Sequence, residues 1–370
     1  MKKILFLTPS TGLGGAERQA ILLAKSLSTE HDVSFLCMHF SKTDYQVPDK
    51  LNGSNVSVYI IESCYPKNYW SRLIRTCQLC KFFLGHRFDS ILAYQYEMNV
   101  TLGLLDYLFH FKRIIWNQRD EGLGTVSTFI NKLSVKRYNH FIANSVGGAD
   151  YLKRKLSIDK KRISIIPNGI DIKSSLPKDV WRLQNGYKKN EVLACMVANI
   201  QSNKDHITLI EAWEKIVSKG IQAKLLLVGY YGNTYEKCLN LIREKHLENY
   251  IVFTGPCNDV GSLLNAMDMS ILSSPSEGLS NTMLETMAIG IPFIGSKIPS
   301  IESLLGENYP YLFPVGNANT LASLIEEILN NKEKAQLISD NNKLLVESNF
   351  SVNKLKERTK KIIFDEPNKI

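Results

Sequence analysis

Short apolar runs alternate with stretches of helical period from one end of this chain to the other, and that alternation limits its fold more than any other feature. A short run buried on both faces needs helices above and below it, so repeating run and helix builds a parallel sheet covered on both sides. In the first half the runs fall at 3–7, 32–39, 56–61, 88–93, 113–116, 140–144 and 163–166. In the second half they fall at 192–198, 224–229, 251–255, 269–273, 292–296 and 311–313. Segments of helical period, such as 16–27 and 208–219, separate most of them. At 370 residues the chain is longer than a single core usually grows. The expected architecture is therefore α/β, with two doubly wound, Rossmann-like domains in tandem. The break is expected after Ile166-Pro167-Asn168-Gly169-Ile170-Asp171, where Pro, Asn-Gly and the polar stretch to Asn190 mark turn and linker. This gives a first domain over 1–175 and a second over 176–345. Residues 346–370, charged and helical in pattern, are expected to return to the first domain. Ligands of such sheets bind beyond the carboxyl ends of the strands, so function is expected in a cleft between the domains.

The most informative local stretch is Ser273-Ser274-Pro275-Ser276-Glu277-Gly278-Leu279-Ser280-Asn281, continuing through Glu285 to Gly290. The run before it reads as a buried strand, and the residues from Asn281 read as a helix that stops at Gly290-Ile291-Pro292. Glu277 and Gly278 then lie just past a strand's carboxyl end, beside the free N–H groups of a helix start. Such N–H groups suit hydroxyl or phosphate oxygens, and a carboxylate beside them can accept hydrogen bonds from sugar or ribose hydroxyls. Thr282 and Glu285 fit a capping box equally well, in which case Glu285 only satisfies a backbone N–H.

Composition narrows the class. With 44% hydrophobic and 22% charged residues the chain is globular, with no disordered tract of consequence. Its seven cysteines, at 37, 64, 77, 80, 195, 238 and 257, are an odd, scattered set that suits a reducing compartment. The close pair Cys77-Gln78-Leu79-Cys80 lacks a second pair or a nearby His, and reads as two buried positions on one helix face rather than a metal or redox site. The first residues have the look of a signal peptide, but their apolar run stops at Thr8-Pro9 and reads better as a strand. No stretch approaches the apolar length of a membrane span.

The net charge of +9 is concentrated between residues 60 and 165, where Lys and Arg outnumber Asp and Glu by the whole of that excess. A basic first half suits anionic head groups or a phosphorylated acceptor. No nucleic-acid recognition motif accompanies it, so no nucleic-acid partner is expected. The stretch from Lys67 to Arg87, with Tyr69, Trp70, Arg72 and Arg75, is a basic, aromatic helix candidate for an anionic membrane surface. It is equally an ordinary helix laid on a sheet.

Two further positions have readings of their own. Gly14-Gly15 opens a helix after a strand, where the backbone can approach a polar or anionic group closely, or simply turn. Lys204, in a loop after a strand of the second half, is a mobile cation suited to a diphosphate, although most such lysines are only solvated.

Taken in order and spacing, these motifs resemble the retaining GT-B glycosyltransferases of family GT4 over nearly the whole stretch from Leu5 to Asn330. The resemblance is carried by Gly14-Gly15-Ala16-Glu17-Arg18, Ile142-Ala143-Asn144-Ser145, Ile166 to Asp171, Val197-Ala198-Asn199 through Lys204-Asp205-His206, Leu227-Val228-Gly229, Phe253-Thr254-Gly255 and the loop from Glu277 to Glu285. It implies that Lys204 neutralises the diphosphate of a UDP- or GDP-sugar donor. Glu277 and the backbone of Gly278, Leu279, Ser280 and Asn281 hold the transferred sugar, and Glu285 binds the ribose. Gly14 and Gly15 lie near the diphosphate and acceptor side, and Asn199 and Gly229 line the donor site. It also implies metal-independent catalysis with no cofactor, by front-side attack that retains the anomeric configuration. The acceptor it implies is a saccharide, for family reasons a lipid-linked one in cell-surface polysaccharide synthesis, and the location is cytoplasmic, at the inner face of the cell membrane.

The chain departs from the family in two places. Many relatives carry an Arg beside the position of Asn199, where this chain has Asn199-Ile200-Gln201-Ser202-Asn203. Many also carry a His in the first domain where this chain reads Trp116-Asn117-Gln118-Arg119-Asp120-Glu121-Gly122. Arg119 is the candidate replacement cation, or else it pairs with Asp120 or Glu121 at the surface. Two rival functions stay open: a GT-B-type sugar-nucleotide epimerase, and, through the missing Arg, a catalytically silent nucleotide-sugar-binding partner of another transferase.

Overall fold

The computed structural model describes residues 1–39, 46–62, 69–122, 129–171 and 173–364. The chain divides into two compact units, one formed by Met1–Gly169 with the segment from Ser351 onward, the other by Ile170–Phe350. Each is a Rossmann-like layer of parallel strands with helices on both faces.

Unit 1 contains β1 (Lys3–Thr8), α1 (Gly15–Leu27), β2 (Asp32–His39), α2 (Gln46–Leu51), β3 (Val56–Glu62), α3 (Tyr69–Gly85) and β4 (Ser90–Tyr94). It continues with α4 (Tyr96–Phe109), β5 (Ile114–Gln118), α5 (Phe129–Arg137), β6 (His140–Ala143), α6 (Val146–Lys155) and β7 (Ile163–Ile165). The strand order is β3-β2-β1-β4-β5-β6-β7, so the winding reverses between β1 and β4. The central strands β1, β4 and β5 are buried nearly end to end, which is why they read as unbroken apolar runs. One face of the sheet packs Leu79 and Phe83 of α3, Met98 and Leu102 of α4, and Tyr138 just after α5. The other packs Ala20, Ile21 and Leu27 of α1 and Val47 and Leu51 of α2.

Unit 2 contains α7 (Lys178–Gln184), β8 (Val192–Val197), α8 (His206–Ser218), β9 (Ala223–Val228), α9 (Tyr235–Glu244), β10 (Ile251–Gly255), α10 (Val260–Ala266) and β11 (Met269–Leu272). After these come α11 (Asn281–Ile289), β12 (Phe293–Ser296), α12 (Pro299–Leu305), β13 (Leu312–Phe313), α13 (Ala318–Asn330) and α14 (Lys332–Asn349). Its order, β10-β9-β8-β11-β12-β13, reverses between β8 and β11. The last helix, α15 (Val352–Phe364), lies in unit 1, where Leu355 and Ile363 join the core of Ile4, Ala20 and Phe35. Lys360 Nζ donates to Glu30 Oε2 at 2.7 Å and Lys356 bonds the other oxygen of Glu30, so the helix is also tied down by charge.

Three sequence expectations change here. The run 88–93 becomes strand only from Ser90, because Asp89 turns its carboxylate onto the Lys3 N–H and Lys112, while Phe88 joins an aromatic stack with Phe82 and His86. Cys77 is exposed and Cys80 half-buried on α3, not two buried positions, since the inward face of this helix is the narrow row Arg75, Leu79 and Phe83. The helix candidate begins at Tyr69, and its first residues, including Lys67, lie outside the described residues. Arg75, read as part of a basic outer face, is only 3% exposed and pairs with Glu97 at 2.5 Å. Trp70, Leu73 and Ile74 point outward instead.

Candidate functional site

In unit 2 the switch point between β8 and β11 brings two of the singled-out residues together. Lys204 sits on the loop after β8 and Glu277 on the loop after β11, and Lys204 Nζ bonds Glu277 Oε1 directly. Ser274 Oγ donates to the same Glu277 oxygen at 2.7 Å. Their side chains are 18% and 13% exposed, so the pair is screened less than a surface one.

Local chemistry sets both loops. Asp205 caps α8, accepting from Thr208 N–H at 3.1 Å, and its own N–H donates to Ser273 O at 2.9 Å, which joins the two loops beside Lys204. Ser280 caps α11 through Met283 N–H at 3.3 Å, so the cap is Ser280 and the Thr282–Glu285 capping box does not form. Thr282 Oγ1 instead donates to Val197 O at 2.9 Å, tying the first turn of α11 to the end of β8. Leu279 anchors the loop by burial beside Met283 and Leu272, and α11 ends at Gly290 in a left-handed conformation. Asn199 turns its Oδ1 to the Tyr230 N–H at 3.2 Å, so its side chain holds the loop after β9. Gly229 has φ 155°, and a Cβ there would lie 2.3 Å from Ala198 O. Only glycine allows these two strand ends to approach so closely. Glu285 lies half-buried on α11.

His206 opens α8 beside Lys204, with Nδ1 3.2 Å from Lys204 O. Burial, more than any other cause, pushes its pKa down to about 4. The unfolded chain takes up a proton below the ordinary value of 6.5, and the folded chain does not until about 4. Stability from this group is therefore whole above pH 6.5 and is lost as the pH falls towards 4, by up to ~3 kcal/mol. Replacing His206 by Gln is expected to shrink the drop in melting temperature between pH 7 and 4.5. Equal drops in variant and parent would refute the assignment.

In unit 1, Arg119 follows β5. Its Nη1 donates to Asn168 Oδ1 at 3.1 Å, its Nη2 to Asn117 Oδ1 at 3.3 Å and to Tyr94 Oη at 3.4 Å, and its guanidinium lies 5.0 Å from the Tyr94 ring centre. Asp120, one of the partners expected for it, accepts from Gln118 and from the Gly122 N–H instead. Among the described residues Arg119 pairs with no carboxylate. Gly14 caps α1, and its N–H donates to Glu17 Oε2 at 3.1 Å.

Sequence reading did not assign roles to Ser274, Asn117, Asn168, Glu17 or Gln95. For Glu17 the signal was present: Gly14 and Glu17 have the spacing of a capping box. Ser274 and Asn117 meet Glu277 and Arg119 only three and two residues away, but Asn168 and Gln95 meet residues far apart in the chain, and nothing local announces those contacts.

Two family descriptions match this chain in tandem, Glycosyltransferase Family 4 over residues 13–174 and Glycosyl transferases group 1 over residues 177–345. The solved structure of HepE from Anabaena, in complex with UDP and glucose, superposes with a TM-score of 0.85 at 21% identity, covering 98% of this chain and 99% of that one. The chain is a GT-B-fold glycosyltransferase related to these families. A further relative of this glycosyltransferase is the N-acetyl-alpha-D-glucosaminyl L-malate synthase of Bacillus anthracis, 27% identical over 55% of this chain. That match spans about half, 54%, of the synthase's length. Another is an N-acetylgalactosaminyltransferase of Campylobacter jejuni named for a diphospho-undecaprenol-linked acceptor, 22% identical over 89% of this chain and 90% of the relative. In glycosyltransferase terms, the structure places one cation of the candidate set, Lys204, against Glu277 in unit 2, and the other, Arg119, among neutral oxygens in unit 1.

Proposed function

We propose that this glycosyltransferase moves a sugar from a UDP- or GDP-linked donor to a lipid-linked saccharide, with retention and without a metal, in cell-surface polysaccharide synthesis at the cytoplasmic face of the membrane. The observation that carries the reading is the Lys204–Glu277 pair across the unit 2 switch point, where parallel sheets bind nucleotides. In this structure the two charges neutralise each other. A donor diphosphate competes for Lys204 and releases Glu277 to accept from the sugar's hydroxyls, so donor binding itself prepares the site. As the bond between the anomeric carbon and the β-phosphate oxygen breaks, Lys204 and the amino end of α11 stabilise the charge left on the diphosphate. The acceptor hydroxyl attacks the same face, its oxygen forming the new bond to the anomeric carbon and its proton passing to the departing phosphate oxygen. The protein then contributes position and charge rather than a base. The lipid-linked acceptor draws support from the name of the Campylobacter relative, and the UDP-type donor from the ligand held by HepE.

The test is a panel of UDP-, GDP-, ADP- and CMP-sugars added to the purified protein with EDTA, followed by thermal shift, and by mass spectrometry after addition of membrane lipid extract. Stabilisation by one nucleotide class, with a sugar-sized mass gained on lipid, is the expected result. Binding with no transfer under any condition would overturn the reading.

Membrane contact belongs to the same proposal. Trp70, 69% exposed, stands outward on α3 with Leu73 and Ile74, and Phe129 and Ile130 stand outward on the first turn of α5, with Arg72, Lys132 and Lys136 exposed on the same two helices. Exposed apolar anchors beside cations suit an anionic bilayer surface. Trp70→Glu combined with Phe129→Glu is expected to reduce sedimentation with anionic liposomes severalfold without lowering the melting temperature. Unchanged sedimentation would remove the membrane contact from the proposal.

A further inference from the structure

One buried side chain holds together two loops at the switch point of unit 1. Glu17, in the first turn of α1, is 2% exposed. Its Oε2 accepts from the Gly14 N–H at 3.1 Å and its Oε1 accepts from Gln95 Nε2. Gly14 belongs to the loop after β1 and Gln95 follows β4 directly, and β1 and β4 are the neighbouring strands at which the sheet order reverses. The carboxylate therefore ties together the two strand exits that flank the crevice.

The arrangement is costly. Burial raises the Glu17 carboxyl above its ordinary range, opposed only by hydrogen bonds, and among the described residues no cation pairs with it. Gln95 has φ 66° and ψ 149°, a backbone region that residues other than glycine rarely occupy. A Cβ at position 14 would sit 2.6 Å from Glu17 Oε2 and would have to push the carboxylate aside, so glycine lets the loop close over it undisturbed. Capping α1 demands none of this, since Ser, Asn or Asp at position 14 would cap the helix without a buried charge. Strain and a buried, unpaired carboxylate meeting at one crevice mark a device that sets geometry. Gln95 is exposed, and while Glu17 holds its amide nitrogen, its carbonyl oxygen accepts no hydrogen bond among the described residues.

We propose that Glu17 is a positioning residue, which holds the Gly14 loop and the Gln95 carboxamide as a preset floor for the hydroxyls of the acceptor saccharide. The inference rests on the transferase reading above. Glu17 touches no reacting atom; it acts through Gln95 and the loop.

Glu17→Gln and Gln95→Gly, made in the full chain, test it through steady-state kinetics that separate the KM of acceptor and donor, with thermal melts alongside. Glu17→Gln replaces the buried acid by an amide of the same shape, so its melting temperature is expected to hold or rise while the acceptor KM rises about tenfold, the worth of one well-placed hydrogen bond. Gln95→Gly relieves the positive φ and is expected to give the same acceptor-selective rise at an undiminished melting temperature. The donor KM is expected to rise less than the acceptor KM in both variants. Transfer by the parent protein with an unmoved acceptor KM in both variants overturns this inference alone, as does a loss that follows the melting temperature or falls equally on both substrates. A parent protein that transfers no sugar overturns the transferase reading and this inference with it.

Discussion

Lys204→Ala and Glu277→Ala are each expected to lower turnover about 10²- to 10³-fold, the range found when a single preorganised charge-stabilising group is removed. The effects differ in kind. Without Lys204, on the proposed reading, the departing diphosphate loses a cation at the unit 2 switch point, so kcat is expected to fall and donor binding to weaken with it. Without Glu277 the sugar loses its hydroxyl partner while Lys204 is freed for phosphate, so donor binding holds or tightens as kcat falls. The pair also makes a stability prediction. With 18% and 13% exposure, each group left alone is a poorly solvated charge, and each single variant is expected to lose roughly 1–3 kcal/mol. The double variant Lys204→Ala with Glu277→Ala is expected to lose less than the sum, because neither charge is left behind. Steady-state kinetics over donor concentration, with denaturant unfolding of the three variants, read both. Turnover within a few-fold of the parent in either single variant would remove that residue from the reaction.

Much of this was legible in the chain. Each run chosen for its apolar length is a strand, with ends shifted by a residue or two, because strands buried on both faces carry their signal in composition alone. The loops at the switch points were legible too, since Gly14-Gly15 and Glu277-Gly278 each stand between such a run and a helical period. What could not be read was which side chains meet. Lys204 and Glu277 are 73 positions apart, and nothing local says that Asp205 and Thr282 draw their loops together across β8 and β11. The place of Arg75 on α3 was misread for a physical reason. The helix's basic and aromatic residues suggested a charged outer face, but the buried row begins with Arg75, whose charge is answered by Glu97 from the neighbouring helix. A buried arginine with a distant partner looks, in sequence, like any surface arginine.

Arg119→Ala is expected to reduce turnover about 10²-fold with little change in melting temperature. Elsewhere in the chain Arg137 is neutralised by Asp106 and Arg182 by Asp268. Arg119 is held by Asn117, Asn168 and the hydroxyl and ring of Tyr94, all neutral, so its guanidinium is oriented without its charge being cancelled. The loop after β8 offers no second cation near Asn199, which is why Arg119, at a strand exit of unit 1, is proposed as the replacement. Two variants separate charge from packing. Arg119→Lys keeps the charge but not the planar fork that Asn117 and Asn168 hold, and is expected to recover part of the rate. Arg119→Gln keeps polar contacts without charge and is expected to behave like Arg119→Ala. Added guanidinium is expected to restore turnover to Arg119→Ala and to leave the parent unaffected, a rescue that a packing defect would not show. Parental turnover in Arg119→Ala would return the residue to a surface role.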